Sequence, residues 1–317
     1  MKCASFFTGV GGIDLGFYRA GFKTIYANEI DKFAVDTIRA NFNFFVDHRD
    51  INDVKTSEIP DFDIMLAGFP CQAFSIAGYR QGFNDEKGRG NLYFELERIF
   101  KIKKPSIILL ENVKNLVSHD KGKTFEVILE SLKNHNYHVK YQILNACEYG
   151  NIPQNRERIY IVCFKDIKIY QKFKFPKNII LKTSINDLLE NEDTIDQKFF
   201  YTEKTPFFDK LIETVQDAKT LYQWRYNYVR KNKNNMCPTL TANMGTGGHN
   251  VPLLNVQGKT NTIRKLTPRE CFNFQGFPSN FILPYTTSNT KLYQQAGNSV
   301  VVPVIERIAL EIRKALN

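Results

Sequence analysis

Up to about residue 165 the chain alternates short apolar runs with longer segments of helical spacing. Residues 2–8, 23–27, 63–67, 105–110, 139–144 and 158–164 read as strands. Residues 12–20, 31–42, 92–102 and 122–136 read as helices, with Ala34, Ile38 and Phe42 on one face of the second and Leu92, Leu96, Ile99 and Phe100 on one face of the third. Apolar strands alternating with amphipathic helices predict an α/β fold with a doubly wound sheet covered on both faces. Such sheets bind ligands at the carboxyl ends of their strands. Gly9–Gly12, Glu29, Asp50, Cys71 and Glu111 each follow a predicted strand. From about residue 166 to 290 the periodicity weakens and Lys, Asn, Thr and Gly accumulate, which predicts a smaller, irregular second domain. Residues 296–316 return to a helix-like apolar pattern. The expected division is therefore 1–175, 176–290, and 291–317 returning to the first domain.

A length of 317 residues suits one large domain and a smaller one. No apolar run approaches the roughly 18–20 residues that span a bilayer. The first residues lack the apolar core of a secretory signal, so a cytoplasmic protein is expected. The six cysteines form no C-x-x-C pair and the five histidines complete no zinc pattern, so no metal is expected. His135 and His138 read as surface residues. Scattered cysteines suit a reducing compartment, where a reactive thiol survives. The net charge of +10 and the pI near 9.2 favour a polyanionic partner. Arg225, Arg230, Lys231 and Lys233 interleave with Trp224, Tyr226 and Tyr228, a mixture that suits nucleic acid better than plain solvation.

Two stretches carry candidate chemistry. Phe69-Pro70-Cys71-Gln72 sets a thiol directly after a proline at the end of an apolar strand. Pro70 locks its own φ and pushes Phe69 toward an extended backbone, so the sulfur would leave the strand on a rigid stalk. A nucleophilic thiol needs such a fixed, partly exposed position. The plainer reading of a lone cysteine is a small buried hydrophobe. Phe7-Thr8-Gly9-Val10-Gly11-Gly12 opens the first helix, and its glycines permit a tight turn and close approach to a ligand. Glu29 ends the second strand, where an acid can take both hydroxyls of a ribose. On these features alone NAD, FAD and S-adenosylmethionine all fit, as does a simple helix-entry turn.

The chain as a whole resembles the C5-type DNA cytosine methyltransferases. Its motifs stand in that family's order: Phe7 to Gly12, Asn28-Glu29, Asp50-Ile51, Gly68 to Ser75, Gly90-Asn-Leu-Tyr-Phe94, Glu111-Asn112-Val113, Gln154-Asn-Arg-Glu-Arg158, Arg269-Glu270 with Gln275 to Pro278, and Gln295 to Val300. The resemblance implies a Rossmann-like S-adenosylmethionine-dependent methyltransferase domain with a target-recognition domain. It implies that Cys71 adds to cytosine C6 while Glu111 protonates N3, a role that suits a carboxyl with its pKa raised by burial. Arg158, with Arg156 behind it, would support the acid near O2. Asn112 would hold the active-site loop. For the cofactor it implies Phe7 against adenine, Gly9, Gly11 and Gly12 near the methionine part, and Glu29 on the ribose. Asp50 and Ile51 would take the adenine edge, Pro70 and Leu92 the methyl-donor side, and Asn298 and Ser299 the carboxylate. Ile30 stands where some members carry a tryptophan.

The target base must leave the duplex, so base flipping is implied, with residues 75–82 as a lid. Gln72, Ser75, Thr239, Leu240 and Gly247 are the implied DNA contacts, and Arg225 and Arg230 the candidate guanine readers, although phosphate contact is the commoner fate of such a residue. The family also implies double-stranded DNA as substrate, a monomer, and a partner restriction endonuclease. Alternatives are an RNA cytosine methyltransferase, whose tRNA-methylating branch carries Pro-Pro-Cys instead of Phe69-Pro70-Cys71, and a catalytically inactive DNA-binding module. A nicotinamide-dependent oxidoreductase gives the Phe-Pro-Cys-Gln loop no role.

Overall fold

The computed structural model describes residues 1–70, 92–225, 228–246, 250–256 and 262–317. It divides into two compact units. The first comprises Met1–Leu144, Glu157–Lys177 and Ile305–Asn317, and the second Asn145–Arg156 and Asn178–Val304. These bounds differ from the sequence division in three places: residues 145–156 go with the second unit, the first unit runs to Lys177 instead of 175, and the return to it begins at Ile305 instead of 291.

The first unit is built on seven strands: β1 (Lys2–Phe6), β2 (Lys23–Asn28), β3 (Phe45–Asp47), β4 (Ile64–Gly68), β5 (Ile107–Val113), β6 (His138–Asn145) and β7 (Glu157–Phe164). Their order is β3-β2-β1-β4-β5-β7-β6. The first five are parallel, whereas β7 runs antiparallel to β5. The sequence reading implied a strand before Asp50 but gave β3 no bounds, because three residues are too few to show a period. The register aligns Phe6 with Asn28 and Ala67, Asn28 with Asp47, and Gly68 with Glu111. Chain leaving any of these strands therefore emerges along one edge of the sheet.

Both sheet faces are apolar and both are covered, as the fully apolar strands require. On one face Ala4, Phe6, Met65, Ala67, Ile108 and Leu110 pack in one buried cluster with α3 (Leu92–Lys103) and α4 (Lys123–Asn134). Helix α3 buries Tyr93, Leu96, Ile99 and Phe100, so Leu92 is only half-buried at its start. On the other face α2 (Lys32–Asn41) sets Val35 and Ile38 against Ala27 and Val46. Helix α1 (Gly12–Arg19) lies beside the last helix: a side chain at Gly16 would come within 2.6 Å of Ile305.

Asp14 on α1 is 1% exposed and accepts hydrogen bonds from Ser5 Oγ at 2.9 Å and Thr24 Oγ1 at 2.7 Å, tying α1 to β1 and β2. Burial is the dominant influence and pushes its pKa from 3.8 up to about 6, against the lowering effect of the two hydroxyls. The folded chain thus holds this proton more tightly than the unfolded chain. Stability falls as pH rises from about 4 to about 6, and above that the ionised carboxyl costs about 3 kcal/mol. Asp14→Asn keeps the shape without the charge, and both hydroxyls can rotate to suit it. It should raise the melting temperature at pH 7.5 relative to wild type and change it less at pH 5. Equal shifts at the two pH values would show that Asp14 is not the titrating group.

The second unit, expected to be irregular, carries short strands among its loops. It holds an antiparallel sheet in the order β11-β10-β8-β9, from β8 (Tyr222–Arg225), β9 (Tyr228–Lys231), β10 (Leu253–Asn255) and β11 (Ile263–Lys265). Strands of three or four residues carry too little alternation to be read from sequence. Tyr222, Leu253 and Ile263 form its core with Leu211 and Val215, and Trp224 and Val229 pack against it. The expected helix over 296–316 is also broken. One helix, Asn289–Asn298, ends there, and another begins at Val302 and runs to Leu316. Pro303 has no N–H to offer the Ser299 carbonyl, so a continuous helix would lose that bond.

Candidate active site

The loop after β1 is built around unusual backbone. Phe7 has φ +53°, Gly9 +58° and Gly11 +81°. A bulky residue at positive φ is strained, and such strain collects at functional sites. A side chain at Gly9 would meet nothing within 4 Å, so the loop presents bare backbone to open space. Glu29, just past β2, grips this loop: Oε2 accepts the Gly9 N–H at 2.7 Å and Oε1 the Asp31 N–H at 2.9 Å. Burial raises its pKa, and the backbone donors work against that rise. Asp50 caps a short turn, its Oδ1 accepting from Asn52 N at 3.0 Å and Nδ2 at 2.7 Å. Ile51 is buried and Ile30 is 60% exposed. Arg98, on α3, donates to the carbonyls of Ile51 and Val54, both at 3.0 Å, and fastens the Asp50 turn to the core. Its role was not legible in sequence, where it is one charge among several on a helix.

At the β4 end Phe69 is buried against Tyr93, with ring centroids 5.8 Å apart. Its carbonyl accepts from Asn112 Nδ2 at 2.8 Å, while Asn112 Oδ1 accepts the Val113 N–H at 2.8 Å. Asn112 therefore fixes the backbone two residues before position 71. Glu111 lies within β5, not after it, and is 8% exposed. The antiparallel pairing sets Val113 opposite Arg158, which brings Arg158 Nε to 3.2 Å from Glu111 Oε1. Pro70 is exposed at the same sheet edge. A carboxyl, a guanidinium and a fixed strand end thus share one edge in the first unit. Cys71, Gln72, Ser75 and Gly247 lie outside the described residues.

A model of the C-5 cytosine-specific DNA methylase family matches residues 1–314. The chain belongs to that family. It is 56% identical to the type II methyltransferase M.Bsp6I of Bacillus sp. strain RFL6, across 100% of this chain and 99% of the relative. It is 41% identical to M1.ScrFI of Lactococcus lactis subsp. cremoris, across 99% and 78%. Among solved structures, a mutant form of Spodoptera frugiperda DNMT2 superposes with a TM-score of 0.75 at 20% identity, over 98% of this chain and 99% of that one, which shows a shared fold. The chain is an enzyme of the DNA C5-methylase class, whose members depend on S-adenosylmethionine.

Several of the family motifs converge inside the second unit as a buried polar hub. Arg156, 3% exposed, donates to the carbonyls of Leu240 at 2.7 Å and Gly297 at 3.1 Å, and to that of Ser299. The last belongs to the extended residue that ends one helix before the next begins at Val302. Gln154 donates to Phe274 O at 2.7 Å and accepts the Leu240 N–H at 3.2 Å, and Gln275 donates to Ala296 O at 2.6 Å. A side chain at Gly297 would stand 2.2 Å from the Thr241 carbonyl, so only glycine allows this approach. Asn298 and Ser299 end the helix beside it. Arg156, read from sequence as part of the catalytic pair, is spent on three carbonyls of this hub. Arg156→Met leaves those carbonyls without their donor, at about 1–3 kcal/mol for each that stays dry. The variant should unfold at a clearly lower temperature and lose activity in step with its folded fraction. An unchanged melting temperature with kcat lost would return Arg156 to the reaction.

Of the DNA-contact candidates, Arg225, Arg230 and Thr239 line one cleft of about 870 Å³ in the second unit, together with Lys231, Lys233 and the acid Glu148. Lys231 is paired with Asp217 at 2.8 Å. Thr239 donates to Asn155 O at 2.6 Å, whereas Leu240 is buried. Among the described residues no cluster of three metal-ligating side chains occurs, and no helix is long and apolar enough to cross a membrane.

Proposed function

We propose that this chain is the modification enzyme of a type II restriction–modification system, methylating C5 of a flipped cytosine in a short specific duplex sequence. The observation that carries the reading is the Glu111–Arg158 pair, at 3.2 Å, beside the strand end that Asn112 clamps just before Pro70-Cys71. Cytosine C5 is a poor nucleophile until a thiolate adds to C6. In the proposed sequence the Cys71 sulfur forms a bond to C6 while Glu111 gives its proton to N3. Arg158, always protonated, offsets charge developing at O2. C5 then takes the methyl group as that group's bond to the donor sulfur breaks, N3 returns its proton to Glu111, a base removes the C5 proton, and the C6–S bond breaks with its electron pair leaving on the Cys71 sulfur, which restores the ring. Residues 75–82, the lid that the family resemblance implies, lie outside the described residues.

The loop after β1 fits S-adenosylmethionine, which supplies the methyl group when bound. Each Glu29 oxygen accepts one backbone N–H and keeps a lone pair for a ribose hydroxyl. The open side of Gly9 lets a ligand reach the backbone. Phe7 covers the adenine face, and Asp50 and Ile51 hold its edge. The enzyme works in the cytoplasm as a monomer and protects DNA from a partner endonuclease. The test is expression in a methylation-free host followed by bisulfite sequencing of its plasmid. Protected cytosines in one recurring sequence are expected; unmodified DNA from well-expressed, folded protein would sink the reading.

A further inference from the structure

We propose that Gln223 is a positioning residue that holds Arg225 and Arg230 as a paired fork for guanine in the target site; this rests on the reading of the chain as a duplex-DNA methyltransferase. The strand register dictates the arrangement. Gln223 stands directly opposite Arg230, and Arg225 follows two residues later on the same strand. Alternation turns Tyr222, Trp224 and Val229 into the apolar core, so Gln223, Arg225 and Arg230 share the opposite face. That face borders the cleft. Gln223 is 7% exposed, whereas both arginines are exposed. Gln223 Oε1 accepts Arg230 Nη2 at 2.6 Å and Arg225 Nη2 at 3.3 Å, one bond for each lone pair of the amide oxygen.

Holding two guanidiniums on one neutral acceptor opposes their mutual repulsion and removes rotamer freedom before any ligand arrives. A phosphate needs charge nearby and tolerates a mobile side chain. A guanine edge, with O6 and N7 side by side, needs a guanidinium plane set in advance. Each arginine spends one of its five N–H groups on Gln223 and keeps the others for such an edge. Asn232, Asn234 and Thr239 line the same cleft and offer neutral groups suited to base edges.

The test uses the full chain and a pool of duplexes with a randomised core. Bound duplexes are sequenced, and the same pool is treated with S-adenosylmethionine and read by bisulfite conversion. Wild type should select one motif. Arg230→Lys keeps charge but not the fork, so preference at one guanine position should fall by about 5- to 150-fold with the salt dependence of binding unchanged. Gln223→Met should relax the same position and raise KM with kcat retained. Gln223→Glu keeps the acceptor, so it should preserve the preference while weakening binding to every duplex alike. Alanine at Arg225 and Arg230 that leaves the motif intact, lowers binding uniformly and reduces the salt slope by about one each would make them phosphate contacts and overturn the fork. A wild-type chain that selects no motif would overturn it as well. Selection of a motif without conversion of any cytosine would sink the methyltransferase reading alone, and the variants' selected motifs would still decide the fork.

Discussion

Duplex DNA carrying 5-fluorocytosine at the target should be trapped covalently by this enzyme in the presence of the methyl donor, and Cys71→Ser should trap none. The fluorine at C5 cannot leave as a proton does, so the ring stays saturated and the C6–S bond persists. A serine hydroxyl is almost wholly protonated at neutral pH and has no thiolate-like form to offer. The variant's turnover should fall to the detection floor. The surroundings favour a fixed nucleophile: the chain leaves β4 through Phe69, whose ring is packed on Tyr93 and whose carbonyl is held by Asn112 at 2.8 Å, and then through Pro70. The readout is a band of retarded mobility that survives denaturation. A stable adduct with Cys71→Ser would move the nucleophile elsewhere and overturn the proposed chemistry.

Glu111→Gln should lower kcat by roughly 10²- to 10⁴-fold, the usual worth of a positioned proton donor, with KM for the duplex changed far less. Glutamine fills the same space and can still hydrogen-bond to N3, but it has no proton to give. Arg158 would then face an amide across the 3.2 Å that separates it from the Glu111 carboxyl. Both side chains are nearly buried, so Arg158→Lys serves as the companion variant that separates loss of the acid from displacement of Arg158. It keeps the charge and loses the planar guanidinium, and its smaller drop in kcat should leave the Glu111 loss as the larger of the two. A Glu111→Gln rate within about tenfold of wild type would remove Glu111 as the acid. Single-turnover kinetics on a hemimethylated duplex separates this chemistry from product release.

The alternation of apolar strands and amphipathic helices was enough to read the α/β sheet with two covered faces, because that pattern is a local consequence of burial on both sides. It also placed Glu29 and Cys71 after strands, where ligands gather. Glu111 and Arg158 were legible as a pair only through the family motifs, not from any local pattern. Arg158 reaches Glu111 only because β7 runs antiparallel to β5, a pairing between residues 47 apart in sequence that no local pattern encodes. The same holds for Arg156. Its motif suggested catalysis, yet the carbonyls it meets come from Leu240, Gly297 and Ser299, the last from the extended residue between two helices. Gln223 carried no signal at all, since an isolated glutamine in a four-residue strand looks like surface. What the amino-acid sequence determined by itself was the chemistry available and the strand ends that carry it, because both depend on residue type and near neighbours. What only the tertiary structure decided was which of those groups meet, because hydrogen bonds and ion pairs are made between elements, and their partners are chosen by register and topology.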